Sequence, residues 1–211
     1  MLIRCADDLL SLSVDGPEYA QALAACLRES GAWLDVVAGI DSVVVRFDAA
    51  VVDADMAQQQ IEKTLTGGIP PLRESENLLE IPVVYGGEYG PDLDELCREL
   101  GMSTDEFVAL HAGREYYVDM VGFTPGFAFV GGLDKRLNVP RRKEPRRRVE
   151  AGSIGIADGR TGMYALASPG GWTLVGRTPC KLFDAHAPEP FPIRAGMRIR
   201  FRAISADEFG S

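Results

Sequence analysis

Apolar positions in the first third of the chain follow two periods. Leu9 to Val14 alternates as a short strand, and Asp15-Gly16-Pro17-Glu18 then opens a helix, with Pro and Glu in its first turn. Tyr19, Leu23, Cys26 and Leu27 share one face at helical spacing, and Gly31 stops the run. Trp33 to Ala38 and Ser42 to Phe47 read as a hairpin around Gly39-Ile40-Asp41. Asp55 to Leu65 predicts a second helix closed by Gly67-Gly68, and Glu76 to Tyr85 predicts another strand. The order β-α-β-β-α-β is that of a split βαβ, ferredoxin-like unit. Pro70-Pro71 and Arg73-Glu74-Ser75-Glu76 read as a linker ahead of its last strand.

The turn-rich segment Tyr85 to Asp92 marks the next boundary, which predicts domains at 1–84 and 85–211. Leu93 to Leu100 is helical and ends at Gly101. A second helix opens at Ser103-Thr104-Asp105-Glu106, where either hydroxyl can serve as the cap and Ser103 has Glu106 three residues on at capping-box spacing; it runs through Phe107, Leu110 and His111 to Gly113. Beyond it the period shortens. Glu115–Phe123, Ser153–Ala157, Gly162–Ala167, Trp172–Gly176 and Arg198–Ile204 are strand candidates separated by Gly and Pro, the pattern of a β-barrel or sandwich. The fold class is therefore α+β.

Composition adds exclusions. With 46% hydrophobic and 25% charged residues over 211 positions, the chain is globular rather than disordered. No apolar run reaches the length of a membrane span. Met1 to Asp8 lacks the basic flank of a secretion signal, so a cytoplasmic location with reduced thiols is expected. Cys5, Cys26, Cys97 and Cys180 form no CxxC pair, and two separated histidines offer no metal set. The net charge of −9 argues against nucleic acid and anionic membrane. Against that background, Lys135 to Arg148 holds eight basic residues and one acid, with no aromatic interleaved. A solvated loop is one reading. Carboxylate or phosphate recognition is the other, with Arg141, held by Pro140, as the candidate.

Gly122 to Gly132 combines three phenylalanines with glycines, which suits either a pocket rim or a buried barrel corner. Gly171 to Thr178 imitates GxxxxGK[ST] with arginine for lysine, but Pro179 follows where a helix is needed, and no GxGxxG occurs. His111 is either a core-edge residue four positions after Phe107 or a general acid/base. Ser153 lies outside any GxSxG elbow; its hydroxyl serves a ligand oxygen or a barrel turn.

Several stretches form an ordered set: Tyr85-Gly86-Gly87-Glu88-Tyr89-Gly90-Pro91-Asp92-Leu93, His111 with Glu115-Tyr116, Gly122-Phe123-Thr124-Pro125-Gly126-Phe127, Pro140-Arg141, Gly152 to Ala157, Ser168-Pro169-Gly170-Gly171-Trp172 and Gly176-Arg177-Thr178-Pro179. Together they resemble the family of 5-oxoprolinase B subunits, also called allophanate hydrolase subunit 1, which includes the Kip-type inhibitor of a sporulation histidine kinase. The resemblance implies a ferredoxin-like N-terminal domain, a cyclophilin-like β-barrel and similarity to the first half of a carboxyltransferase domain. It implies ATP-dependent cleavage of 5-oxo-L-proline to L-glutamate with two partners. One is a larger carboxyltransferase-like polypeptide, the 5-oxoprolinase C subunit (allophanate hydrolase subunit 2). The other is the 5-oxoprolinase A subunit, of the LamB/YcsF type. In such a site Arg141 is expected to hold a carboxylate or phosphorylated oxygen. His111 would shuttle a proton if it faces the cleft. Backbone N–H groups at Gly126 and Gly170-Gly171 would stabilise an oxyanion, and Phe127 and Trp172 would exclude water. Pro125, Ser153 and Thr178 complete the expected substrate contacts. Inhibition of a histidine kinase and urea or amide carboxylation are the alternative functions; prolyl isomerisation rests on the barrel type alone.

Overall fold

The structure, a computed structural model, describes residues 1–70 and 78–210. The chain divides into two compact units, Met1–Glu74 and Ser75–Ser211. The linker expected over 70–76 lies, from residue 71 onward, outside the described residues.

The first unit contains β1 (Leu2–Ala6), β2 (Leu9–Ser13), α1 (Pro17–Glu29), β3 (Asp35–Ala38), β4 (Ser42–Arg46) and α2 (Ala54–Thr66). Its antiparallel sheet has the order β1-β2-β4-β3. Leu10, Leu12, Val36, Val43 and Val45 alternate onto one face, where Leu23 and Leu27 of α1 and Ile61 of α2 are buried against them. Each such side chain contributes roughly 1.5–3 kcal/mol of burial. Asp53 caps α2 by accepting the Met56 N–H at 2.8 Å. The sequence pattern assigns the edge beside β2 to a strand after α2. That edge is filled instead by β1, folded back through Asp7-Asp8, and the expected βαββαβ order is replaced by ββαββα.

The displaced strand starts the second unit. This unit runs β5 (Leu78–Tyr85), α3 (Leu93–Leu100), α4 (Thr104–Ala112), β6 (Glu115–Val121), β7 (Ala128–Gly131), β8 (Arg146–Val149), β9 (Ser153–Ala157), β10 (Arg160–Met163), β11 (Ser168–Gly170), β12 (Thr173–Arg177) and β13 (Arg198–Ala203). Seven strands close a barrel in the order β10-β7-β6-β13-β5-β12-β9, while β8 and β11 pair separately. Because β5 pairs with both β12 and β13, the boundary expected after residue 84 moves upstream of the strand. β5 and β13 run parallel from Leu78↔Arg198 to Val83↔Ala203, and the other barrel pairs are antiparallel.

Alternation fills the barrel. Ile81 and Val83, Tyr116 and Val118, Ile154 and Ile156, and Ile199 and Phe201 point inward, whereas Arg198, Arg200 and Arg202 stand on the other face of β13. Leu93, Leu96 and Cys97 of α3 and Phe107 of α4 join the same core. Ser103 caps α4 through its Oγ, which accepts the Glu106 N–H at 3.1 Å. Among the described residues no helix is long and apolar enough to cross a membrane.

Candidate functional site

The β6–β7 turn places the aromatic residues. Gly122 and Phe127 are joined by an N–H to C=O bond at 3.0 Å, and Phe127 N–H donates to the Thr124 carbonyl at 3.0 Å. Gly126 takes φ +77°, and a Cβ there would lie 2.9 Å from the Ala165 methyl, so the turn requires glycine. Phe123 also sits at positive φ, 71°, a costly conformation for a bulky residue, and its ring is 67% exposed at the rim.

Behind the rim, Phe127 meets three rings edge to face: Phe129 at 4.7 Å, Tyr164 at 4.9 Å and Trp172 at 5.7 Å between centroids. Two facing glycines make the room. Gly155 and Gly162 are cross-strand partners on β9 and β10. A Cβ at Gly162 would come within 2.8 Å of both Phe127 and Trp172, and one at Gly155 within 2.8 Å of the Trp172 Cβ. Gly170 is packed directly under the Tyr164 hydroxyl. The rings, with Pro145, Pro169, Gly170, Gly171, Arg141 and Arg142, enclose a cavity of about 300 Å³ open on one side. Burial raises the Tyr164 pKa, so its phenol stays protonated.

Arg141 and Arg142 form a wall shared with a second hollow of about 420 Å³, whose other side carries Asp92, Glu95, Glu99 and Thr173. Arg141 donates from Nε to Asp158 at 3.1 Å, an ion pair that is 62% and 55% exposed and therefore weak. Arg142 is fixed twice. Its N–H donates to the Gly171 carbonyl at 2.8 Å, and its guanidinium donates to Asp92 at 3.2 Å. Asp92, 8% exposed at its side chain, also accepts two bonds from Arg146 at 3.0 and 2.5 Å and one from the Leu174 N–H at 2.7 Å.

Of the expected site residues, Arg141, Phe127, Gly170, Gly171 and Trp172 line the aromatic cavity. Pro125, Gly126 and Ser153 line neither hollow; Gly126 faces Ala165 and Leu182, and Ser153 is buried within β9. Thr178 belongs to a separate hollow, where its Oγ1 accepts the Cys180 N–H at 3.1 Å. His111 does not face the cleft. It is fully buried in the barrel between Phe107 and Phe201. Thr161 donates its hydroxyl to the Gly155 carbonyl at 3.3 Å, which leaves its oxygen to accept from His111 Nε2 at 3.1 Å. Nδ1 then accepts from the Tyr85 hydroxyl at 2.7 Å. Burial depresses the imidazole pKa to about 3, so the ring is a neutral strut. Sequence reasoning missed Asp92, Arg142, Arg146, Phe129 and Tyr164. Arg142 and Arg146 carried a signal as members of the basic run, Phe129 as one of the three phenylalanines of Gly122 to Gly132 and Asp92 as part of the turn-rich segment from Tyr85, whereas Tyr164 was marked by nothing beyond a strand candidate. No group of three His, Cys, Asp or Glu side chains among the described residues is arranged to hold a metal ion.

A family model, the carboxyltransferase domain, subdomain C and D, matches residues 6–193. A Bacillus subtilis (strain 168) protein, named as the B subunit of 5-oxoprolinase, is 34% identical over 219 residues, covering 99% of this chain and 91% of that protein. Among solved structures, TTHA0988 aligns with a TM-score of 0.82 at 32% identity, over 98% of this chain and 41% of that one. The Kluyveromyces lactis urea carboxylase aligns with a TM-score of 0.76 at 16% identity over 99% of this chain and 22% of that one, a likeness of fold. The chain thus spans less than half the length of either solved structure. By the extent of these matches, it belongs to the carboxyltransferase-domain family of subdomains C and D, together with the 5-oxoprolinase B subunits.

Proposed function

We propose that the chain is the B subunit of a cytoplasmic, ATP-dependent 5-oxoprolinase that opens 5-oxo-L-proline to L-glutamate. The carrying observation is the 34% identity to a protein of that name over 91% of its length. In this reading the cyclophilin-like barrel is a scaffold and not a prolyl isomerase, since fold does not fix function. A lactam carbonyl is a poor electrophile. ATP would supply a phosphoryl group that activates its oxygen and leave as ADP; one water would add at the carbonyl carbon and open the C–N bond to a glutamyl phosphate, the nitrogen taking up a proton, and a second water would release glutamate and phosphate. The work of this chain is binding and water exclusion. Phe127, Phe129 and Trp172 pack the five-membered ring, and the arginine wall holds its carboxylate. The larger carboxyltransferase-like C subunit covers the open side, and the A subunit completes the enzyme. The test is reconstitution. The chain alone releases no glutamate; the three polypeptides with ATP release glutamate and ADP in equal amounts. A purified, assembled trio without turnover overturns the proposal.

A further inference from the structure

Asp92 has no part in the chemistry just described, yet its carboxylate, which lines the second hollow behind the arginine wall, is heavily bonded. Its two oxygens accept four bonds, from Arg146 twice, from Arg142 and from the Leu174 N–H of β12. One buried negative charge thus holds two guanidinium groups, and the cluster leaves one surplus positive charge in the wall. Arg146 takes the bidentate position. Arg142 gives Asp92 a single Nη1 donor, and its main chain is tied to Gly171. Its guanidinium has five donors, so the rest of the fork is presented where the aromatic cavity and the second hollow meet. Arg141 lacks this arrangement: its side chain is 62% exposed, against 38% for Arg142, and its partner Asp158 is itself half exposed.

We propose that Asp92 is a positioning residue that holds Arg142 as the anion-reading group of the aromatic cavity, so that this chain by itself selects a small apolar ring bearing a carboxylate over the same ring without the charge. The choice of ring, 5-oxo-L-proline, rests on the function proposed above; the selection for charge rests on the geometry. A guanidinium already held in place loses little side-chain freedom on binding, and its planar fork matches a carboxylate.

The experiment uses the isolated full chain. The sequence has two tryptophans, so Trp33→Phe leaves Trp172, which lines the cavity, as the reporter. Its fluorescence is titrated with 5-oxo-L-proline and with the uncharged 5-oxo-L-prolinamide. The acid is expected to bind at least about tenfold more tightly. Arg142→Gln brings the ratio close to one, Asp92→Asn lowers it severalfold, and Arg141→Gln changes it least. The ratio is taken within each variant, so a loosened cavity weakens both ligands and leaves the ratio in place. If Asp92→Asn does not fold, Asp92→Glu, which keeps the charge and displaces the fork, is expected to lower the ratio in the same direction. Equal binding of the two ligands to the parent chain, absence of saturable binding, or a ratio untouched by Arg142→Gln or by the folded Asp92 variant overturns the inference. Selection by the isolated chain with an inactive trio leaves the inference standing and removes the 5-oxoprolinase reading. An active trio in which this chain binds nothing alone does the reverse.

Discussion

Lowering the pH from 7 to 5 is expected to weaken the barrel through His111. The imidazole is fully enclosed by Phe107, Tyr116, Phe201, Tyr85 and Thr161, none of which is charged in this range. Its pKa falls from the ordinary 6.5 to about 3 because burial penalises the cation. Below the ordinary value the unfolded chain takes up a proton that the folded chain refuses. The unfolded state then binds more protons, so stability rises with pH across this window and is lost as pH falls through it. A tenfold change in proton occupancy is worth about 1.4 kcal/mol, so the loss between pH 7 and pH 5 is about 2 kcal/mol. The assay is urea denaturation of the Trp33→Phe chain at both values, followed through Trp172, beside the same chain carrying His111→Gln. Glutamine costs stability at every pH but has no proton to gain. Carboxylates held low by arginine, such as Glu115 beside Arg198 and Arg200, weaken both proteins alike on acidification and cancel in the comparison. The parent should lose about 2 kcal/mol more than the variant. Parallel losses in the two chains would refute the account of His111 as a neutral strut.

Three further outcomes are expected. Gly162→Ala places a methyl 2.8 Å from Phe127 and Trp172 and should cost about 1–3 kcal/mol in urea denaturation, with weaker ligand quenching of Trp172. Ser103→Ala removes the cap on the Glu106 N–H and should cost about 1 kcal/mol while leaving ligand binding unchanged in the same titration. Arg141→Ala breaks only an exposed pair; stability should move by less than about 1 kcal/mol, and a larger thermal shift would show that its contact with Asp158 had been undervalued.

The helices were legible because their signals are local. Pro17 and Ser103 sit at helix starts, and Leu93–Leu100 falls where its apolar spacing and Gly101 place it. The barrel strands with alternating apolar residues, Ser153–Ala157 and Arg198–Ala203, were legible for the same reason. Strands whose composition argues for something else were not. Arg146–Val149 reads as a basic loop, Ser168–Gly170 is three residues with proline at its centre, and Ala128–Gly131 lies inside a glycine-rich run. Leu2–Ala6 is mostly exposed, so no buried face imposes a period. Leu78–Tyr85 reads as a strand, but its pattern does not reveal which unit holds it, since a strand's sequence does not name its partner. The aromatic half of the cavity was partly visible as Phe127 and Trp172. The polar half was hidden, because Asp92 meets Arg142 and Arg146 across 50 and 54 residues, and no local spacing encodes that meeting.

The parallel pairing of β5 with β13 sets an order on synthesis. The earliest-made strand of the barrel has β12 on one side and finds its second neighbour only in the latest-made one. While the ribosome is still producing residues before Arg198, β5 and β6 each keep one raw margin, the kind of template on which nascent polypeptides stick to each other. A premature stop ahead of that seam is therefore expected to give aggregated product and not a shorter working barrel, and the newborn chain depends on protection until its closing strand emerges.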